Sequence, residues 1–149
     1  MSPHATGDAT DVATLPLPDD VRRFLDDSRR FAVIATINPD GSPHTAVVWY
    51  LIDERGIVVN SREGRRWPEN LRRDPRMSFA VEAGVDWVSV RGVVDVIDNQ
   101  RQAQADIAAM ARKYDRHGLA ELEVRDFETQ QRVSFRLRPK AIHAELGGA

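Results

Sequence analysis

The chain contains no cysteine. Disulfides, thiolate nucleophiles, redox-active dithiols and cysteine-ligated zinc are excluded together. Lysine is nearly missing too: of 21 basic residues, only Lys113 and Lys140 are not arginine. No apolar run approaches the roughly 18 residues needed to cross a bilayer. Residues 1–17 lack the basic-then-apolar order of a signal peptide, so a cytoplasmic location is expected. The common catalytic signatures are missing as well. There is no Gly-x-Ser-x-Gly elbow, no Gly-x-Gly-x-x-Gly and no Gly-x-x-x-x-Gly-Lys loop. His4, His44, His117 and His143 lack metal-ligand spacing and read as surface or strand-end imidazoles. The acid pairs Asp19-Asp20 and Asp26-Asp27 read as solvated ends of a helix. No catalytic residue and no metal ligand is assigned.

What is present fits one soluble domain. The 149 residues are 42% hydrophobic and 30% charged, with net charge −2. That balance argues against nucleic acid or an acidic membrane as partner. Residues 1–17 are small, polar and turn-rich and read as a flexible arm; residues 18–146 form the domain. Pro18-Asp19-Asp20 opens a short helix ending near Arg29. Phe31–Ile37 and His44–Ile52 are β-prone runs joined by Asn38-Pro39-Asp40-Gly41, a hairpin turn. Ile57–Ser61 continues them into a three-stranded meander. A helix of about two turns fits between Pro68 and Pro75. Met77–Val81 and Trp87–Ile97 are further strands, and Gly92 within the second marks a bend or bulge. Asn99–Tyr114 is the clearest helix, with Ala103, Ile107, Met110, Ala111 and Tyr114 on one stripe. Residues 119–130 are acidic and irregular, with room for a second short helix. Arg132 to about Ala144 forms a last strand. The fold class is mainly β, a six-stranded antiparallel split barrel with peripheral helices.

Three features bear on function. The second strand is apolar on both faces, with Val48, Tyr50 and Ile52 on one and Val47, Trp49 and Leu51 on the other. A barrel covers only one face, so a partner subunit or a flat apolar ligand is needed for the other. Second, six arginines lie between residues 62 and 76 against Glu63, Glu69 and Asp74. Asn60, Ser61, Arg62, Gly64, Arg65 and Arg66 fall where a strand ends and a helix begins. Unpaired N–H groups, a positive dipole end and guanidinium forks there suit a phosphate. A solvated basic face is the plainer reading. Third, Trp49, Trp67 and Trp87 are each explained as core residues, or together as walls of a pocket for an aromatic, phosphorylated ligand.

The run Phe31-Ala-Val-Ile-Ala-Thr-Ile-Asn-Pro-Asp-Gly-Ser-Pro-His-Thr-Ala-Val-Val-Trp49 resembles the opening hairpin of the pyridoxamine-phosphate-oxidase-like split barrels. Val59–Arg76 resembles their phosphate-binding strand and helix, and Trp87–Val96 the long strand that follows. The likeness spans roughly residues 20–145. It is greatest for the branch that uses the deazaflavin coenzyme F420, with FMN users next. The resemblance implies a homodimer with two sites at its interface. It places Thr45, Val47 and Trp49 beside the tricyclic ring, and Asn60, Ser61, Arg62, Arg65 and Arg66 along the ribityl chain and phosphate. Trp87 would come from the other subunit. Many relatives carry lysine where this chain has Trp67, which leaves Arg62 or Arg66 to compensate, or Trp67 to stack on the cofactor.

The implied function is an F420-dependent oxidoreductase that gives a hydride to a small conjugated electron acceptor. A bound cofactor would bring the chemistry, and the protein orientation and water exclusion. The alternatives are an FMN-dependent oxidase or reductase, and a non-catalytic carrier of flavin, deazaflavin or haem. A nucleic-acid-binding barrel is disfavoured, because the basic stretch is short and no stacking motif accompanies it.

Overall fold

A computed structural model describes residues 14–147. His4 and most of the arm, residues 1–13, lie outside the described residues. The rest of the arm is tied down: Leu15 N–H donates to Pro139 O at 2.8 Å, and Leu17 is buried in the core.

Among the described residues, four helices and seven strands follow in the order α1 (Asp19–Asp27), β1 (Ala32–Ile37), β2 (Pro43–Val48), β3 (Tyr50–Asp53), β4 (Gly56–Arg62), α2 (Arg66–Arg73), β5 (Arg76–Ala83), β6 (Asp86–Ile97), α3 (Gln100–Lys113), α4 (Ala120–Phe127) and β7 (Arg132–Glu145). All strand pairs are antiparallel, in the order β2-β1-β5-β6-β7-β4-β3. The expected six strands become seven because the second one breaks at Trp49. Its first half pairs with β1 and its second half with β4, so the two edge strands of the sheet are neighbours in the chain. The break turns a corner that a straight strand cannot, and the sheet curls into a barrel split between its edge strands β2 and β3. The expected meander is therefore a bent one.

Inside the curl lie Ile34, Tyr50, Val59, Phe79, Val90, Phe135 and Leu137, with Val21 and Leu25 from α1. Tyr50 meets Phe79 edge-on at 5.2 Å, and its hydroxyl donates to Leu25 O at 2.7 Å. Helix α2 joins the same core through Trp67 and Leu71. The bulge expected at Gly92 is present. Arg91 pairs with Ala141 and Gly92 with Pro139, so Lys140 is the extra residue. A Cβ at Gly92 would stand 2.0 Å from Arg138 O, which explains the glycine.

Helix α3 has the expected stripe, and Asn99 caps its start. Asn99 Oδ1 accepts from Gln102 N–H at 3.1 Å, and Ala103, Ile107, Met110 and Ala111 are buried. Part of residues 119–130 is regular after all, forming α4. Ile107 and Met110 of α3, with Phe127 of α4, pack against Trp49, Leu51 and Val58 on the outside of β3 and β4. This corrects the expectation that the second strand's outer face needs an external cover. Trp49 and Leu51 are covered by this chain's own helices; only the β2 half of that face is left open.

Candidate functional site

Strand β4 ends at Arg62, and the chain turns through Glu63 and Gly64. Gly64 has φ +93°, a left-handed angle that a side chain disfavours. Arg65 then precedes α2 in an extended conformation, and no side chain caps the helix. The N–H groups of Arg66 and Trp67 thus have no side-chain cap and lie at the positive end of the helix dipole, while Pro68 has no N–H to satisfy. The start of α2 is held beside the β1–β2 hairpin. Asn70 Nδ2 donates to Thr36 Oγ1 and Asn38 Oδ1, both at 3.1 Å. Arg66 Nη1 reaches Asn38 Oδ1 at 3.5 Å.

The six arginines divide into two sets. Arg72 pairs with Glu63 and with Asp98, the latter at 2.6 Å, and these partners hold its guanidinium more firmly protonated, Asp98 most. Arg76 pairs with Asp74 at 2.7 Å, and Arg73 donates to Ile37 O and Asn70 Oδ1. Arg62, Arg65 and Arg66 are exposed, and none of them forms an ion pair among the described residues. The local positive excess seen in the sequence therefore resides on these three.

The other expected residues fall into two groups. Thr45 and Val47 lie on the outward face of β2, and Val47 is 67% exposed. Val47 lines a groove of about 430 Å³ together with Phe31, Val33, Ala80 and Trp87, with Arg30 and Glu82 at its rim. Phe31 is 50%, Val33 46% and Trp87 39% exposed. A second hollow of about 330 Å³, lined by Ala35, Ile37, Pro43, Ser78 and Val93 among others, continues the surface along β1 and β5. This is an open sheet face on the side that α3 and α4 leave bare, apolar around Val33, Val47 and Trp87 and lined with Arg76, Arg91 and Lys140 further along. Trp49, at the corner, stacks on Tyr114 at 5.4 Å and meets Phe127 edge-on at 6.5 Å.

Asn60, Ser61 and Trp67 are instead interior. Trp67 packs against Phe135 at 5.7 Å, and Ser61 Oγ donates to Arg62 O. Asn60 Nδ2 donates to Ala103 O and Ser134 Oγ, while its Oδ1 accepts from Arg132 Nε and Nη2 at 3.0 and 2.9 Å. These three support the site from behind and present no side chain to the groove.

Arg132 is the charged residue that the sequence reading missed. It pairs across the sheet with Arg62 and is 6% exposed. Burial lowers its pKa to about 10, and the charges of Arg65 and Arg62 push the same way. Its only signal in the sequence was an arginine on the polar face of the last strand, where Arg136 and Arg138 look alike.

Among the described residues, no group of histidine, aspartate and glutamate side chains is placed to hold a metal ion, and no helix is long and apolar enough to cross a membrane.

Several solved structures share this architecture. A conserved hypothetical protein of Mycobacterium tuberculosis, Rv2991, is 23% identical with a TM-score of 0.72, over 92% of this chain and 96% of its own. An F420 reductase is 19% identical with a TM-score of 0.66, over 85% and 98%. The haem storage protein HutZ of Vibrio cholerae is 17% identical with a TM-score of 0.64, over 87% and 94%. At these identities the likeness is one of fold. In sequence, the family model for pyridoxamine 5'-phosphate oxidase matches residues 17–145. That span runs from before α1 to the end of β7, and the chain belongs to the pyridoxamine 5'-phosphate oxidase family.

Proposed function

We propose that the chain is a homodimeric, F420-dependent oxidoreductase that reduces a small conjugated acceptor. The observation that carries this reading is the open face of β2, β1, β5 and β6, with its apolar groove at Val47 and Trp87. A second copy laid on that face would turn the groove into a closed slot for a flat ring. Near one end of the hairpin that forms it stand Arg65, Arg66 and the uncapped start of α2.

The residues present suit the cofactor. Arg65 and Arg66, with the first N–H groups of α2, would hold its phosphate as charge-assisted hydrogen-bond donors. Thr45 and Val47 would lie along the ring, and Trp87 would close the slot from the partner. Asn60, Ser61 and Trp67 keep β4 and α2 in place. A reduced deazaflavin, when bound, supplies a hydride. The chain's own contribution is to orient ring and acceptor and to exclude water from the slot by pairing. FMN is the second reading, because the same phosphate donors serve either cofactor. A preparation with flavin absorption would favour it.

The test is a fluorescence titration of the purified protein with F420 and, separately, FMN. Binding of F420 well below FMN in Kd supports the reading; affinity no tighter than for inorganic phosphate would sink it. Arg65→Ala with Arg66→Ala should weaken binding by about 3 kcal/mol, roughly a hundredfold. Turnover with a panel of conjugated acceptors then separates an enzyme from a carrier.

A further inference from the structure

We infer that the hollow between the end of α1 and the loop after α3 is a binding site for an aromatic carboxylate, separate from the groove at Val47 and Trp87. The cavity is the first observation. It measures about 510 Å³ and brings Arg29 and Arg30, from the linker between α1 and β1, together with Arg116, from the loop between α3 and α4. Phe24 and Ala83 add apolar wall, and among the described residues Asp27 is the one carboxylate that lines it. Three guanidinium groups against one acid reverse the balance of the whole chain, whose net charge is −2.

The second observation is that these arginines are not neutralised elsewhere. Arg116 forms no ion pair among the described residues. Its neighbour Asp115 accepts instead from the backbone N–H groups of His117 and Leu119, at 3.2 and 3.1 Å, and so closes the loop. Arg29 Nη1 donates to Lys113 O at 2.9 Å, a neutral carbonyl at the end of α3. Arg30 comes within 3.9 Å of Glu82, but both side chains are more than half exposed, and such a pair is worth little. The backbone that carries the arginines is held in place. The Tyr114 hydroxyl donates to Arg30 O at 2.9 Å, and Arg30 N–H donates to Ser28 Oγ at 3.0 Å. With the Arg29 bond, these tie the linker to the end of α3 before any ligand arrives.

A smaller hollow of about 190 Å³ adjoins the first at Arg116, which lines both. Phe31, Trp49 and Tyr114 line it, with Tyr114 stacked on Trp49 at 5.4 Å and 5.5 Å from Phe31. Glu123 lines this end too, so a flat ring is welcome there and an anion is not. The direction of the ligand follows. Its ring lies against the aromatic side chains, and its carboxylate points to the arginines, whose planar forks match two oxygens. Arg30 also stands at the rim of the Val47 and Trp87 groove, so the acid lies beside that groove. An aromatic carboxylate is then the class of the acceptor; this last step rests on the proposed function, and the binding site does not.

The probe is 2-naphthoate, titrated by calorimetry into the purified protein without cofactor, with neutral 2-naphthamide alongside. Naphthoate should bind at least about tenfold tighter than the amide, as loss of a charge-assisted pair implies. Arg116→Glu should abolish that preference. Arg116 is exposed on a loop, so the thermal transition should stay where it is. Arg125→Glu, an exposed arginine of α4 that lines neither hollow, makes the same charge change and should keep the preference. Equal affinity for acid and amide in the wild type, a preference that survives Arg116→Glu, or an equal loss in the two variants would overturn the inference. Titration with F420 keeps the two readings apart. Arg116→Glu should bind it as the wild type does, and a joint loss of F420 and naphthoate would also overturn a separate site. A wild type that binds naphthoate but not F420 would remove the proposed cofactor and leave this site standing.

Discussion

Lys113 shows how one buried charge leaves a readable mark on stability. Its Nζ donates to Tyr50 O at 3.0 Å and lies 3.7 Å from the centre of the Tyr50 ring. Burial lowers its pKa from 10.5 to about 8; Arg29 acts the same way and Asp26 opposes. Between those two pH values the unfolded chain holds more protons than the folded one, so stability must rise with pH there. Tyr50 and Tyr114 work in the opposite sense at higher pH. Burial raises both hydroxyls above the usual 10, Tyr114 to about 12, so the folded chain keeps those protons longer. The clean window is therefore about pH 8 to 9.5. Urea denaturation across that window should show stability increasing in the wild type and a flatter profile in Lys113→Met. Gly92 makes a simpler case. A methyl group there meets the backbone oxygen of Arg138, not a flexible side chain, so β7 itself must move. Gly92→Ala should cost about 3 kcal/mol by the same measurement, as overpacking against fixed backbone does.

Strands and helices differed in how plainly the sequence announced them, for physical reasons. Helix α3 was legible because its apolar stripe holds over four turns, and the structure starts it one residue after Asn99. The β6 bulge was legible because glycine inside an apolar strand has few other uses. The corner at Trp49 was not. Apolar residues run unbroken from Ala46 to Ile52, and periodicity along a strand says nothing of which neighbour each half pairs with. The site was half legible for the same reason. Arg62, Arg65 and Arg66 stood out by local density, but Arg132 joins them through a contact 70 residues away in the chain. Asn60 looked like a ligand contact because its position follows a family pattern, whereas its amide is spent on Ala103, Ser134 and Arg132. The corner has a testable consequence. Trp49 fastens the break between β2 and β3 to α3 and α4 through Tyr114 and Phe127. Trp49→Ala should cost about 2–4 kcal/mol, because the cavity opens at a junction of two strands and two helices. Trp49→Phe, which keeps a ring there, should recover much of that loss in thermal unfolding.

The distribution of cover over the barrel makes the case for pairing. Helices α3 and α4 close the outside of β3, β4 and β7, and α1 adds Val21 and Leu25 to the core. Among the described residues no such layer covers the outside of β2, β1, β5 and β6, and there the exposed Phe31, Val33, Val47 and Trp87 gather. Apolar side chains scattered singly over a surface need no explanation, but a contiguous set on one sheet face does. A stable pair buries about 800 Å² from each partner. The proposed cofactor slot lies in the same face, so pairing and cofactor affinity should be lost together. Val47→Lys puts a charge at the middle of the face on a side chain that is already 67% exposed, so the folded monomer should tolerate it. In analytical ultracentrifugation the wild type should sediment as a dimer and Val47→Lys as a monomer with the same thermal transition extrapolated to low concentration. The monomer should bind F420 far more weakly than the wild type even though Arg65 and Arg66 are intact. A wild type that is monomeric at tens of micromolar, or a monomeric variant with full cofactor affinity, would show that the slot is complete within one chain.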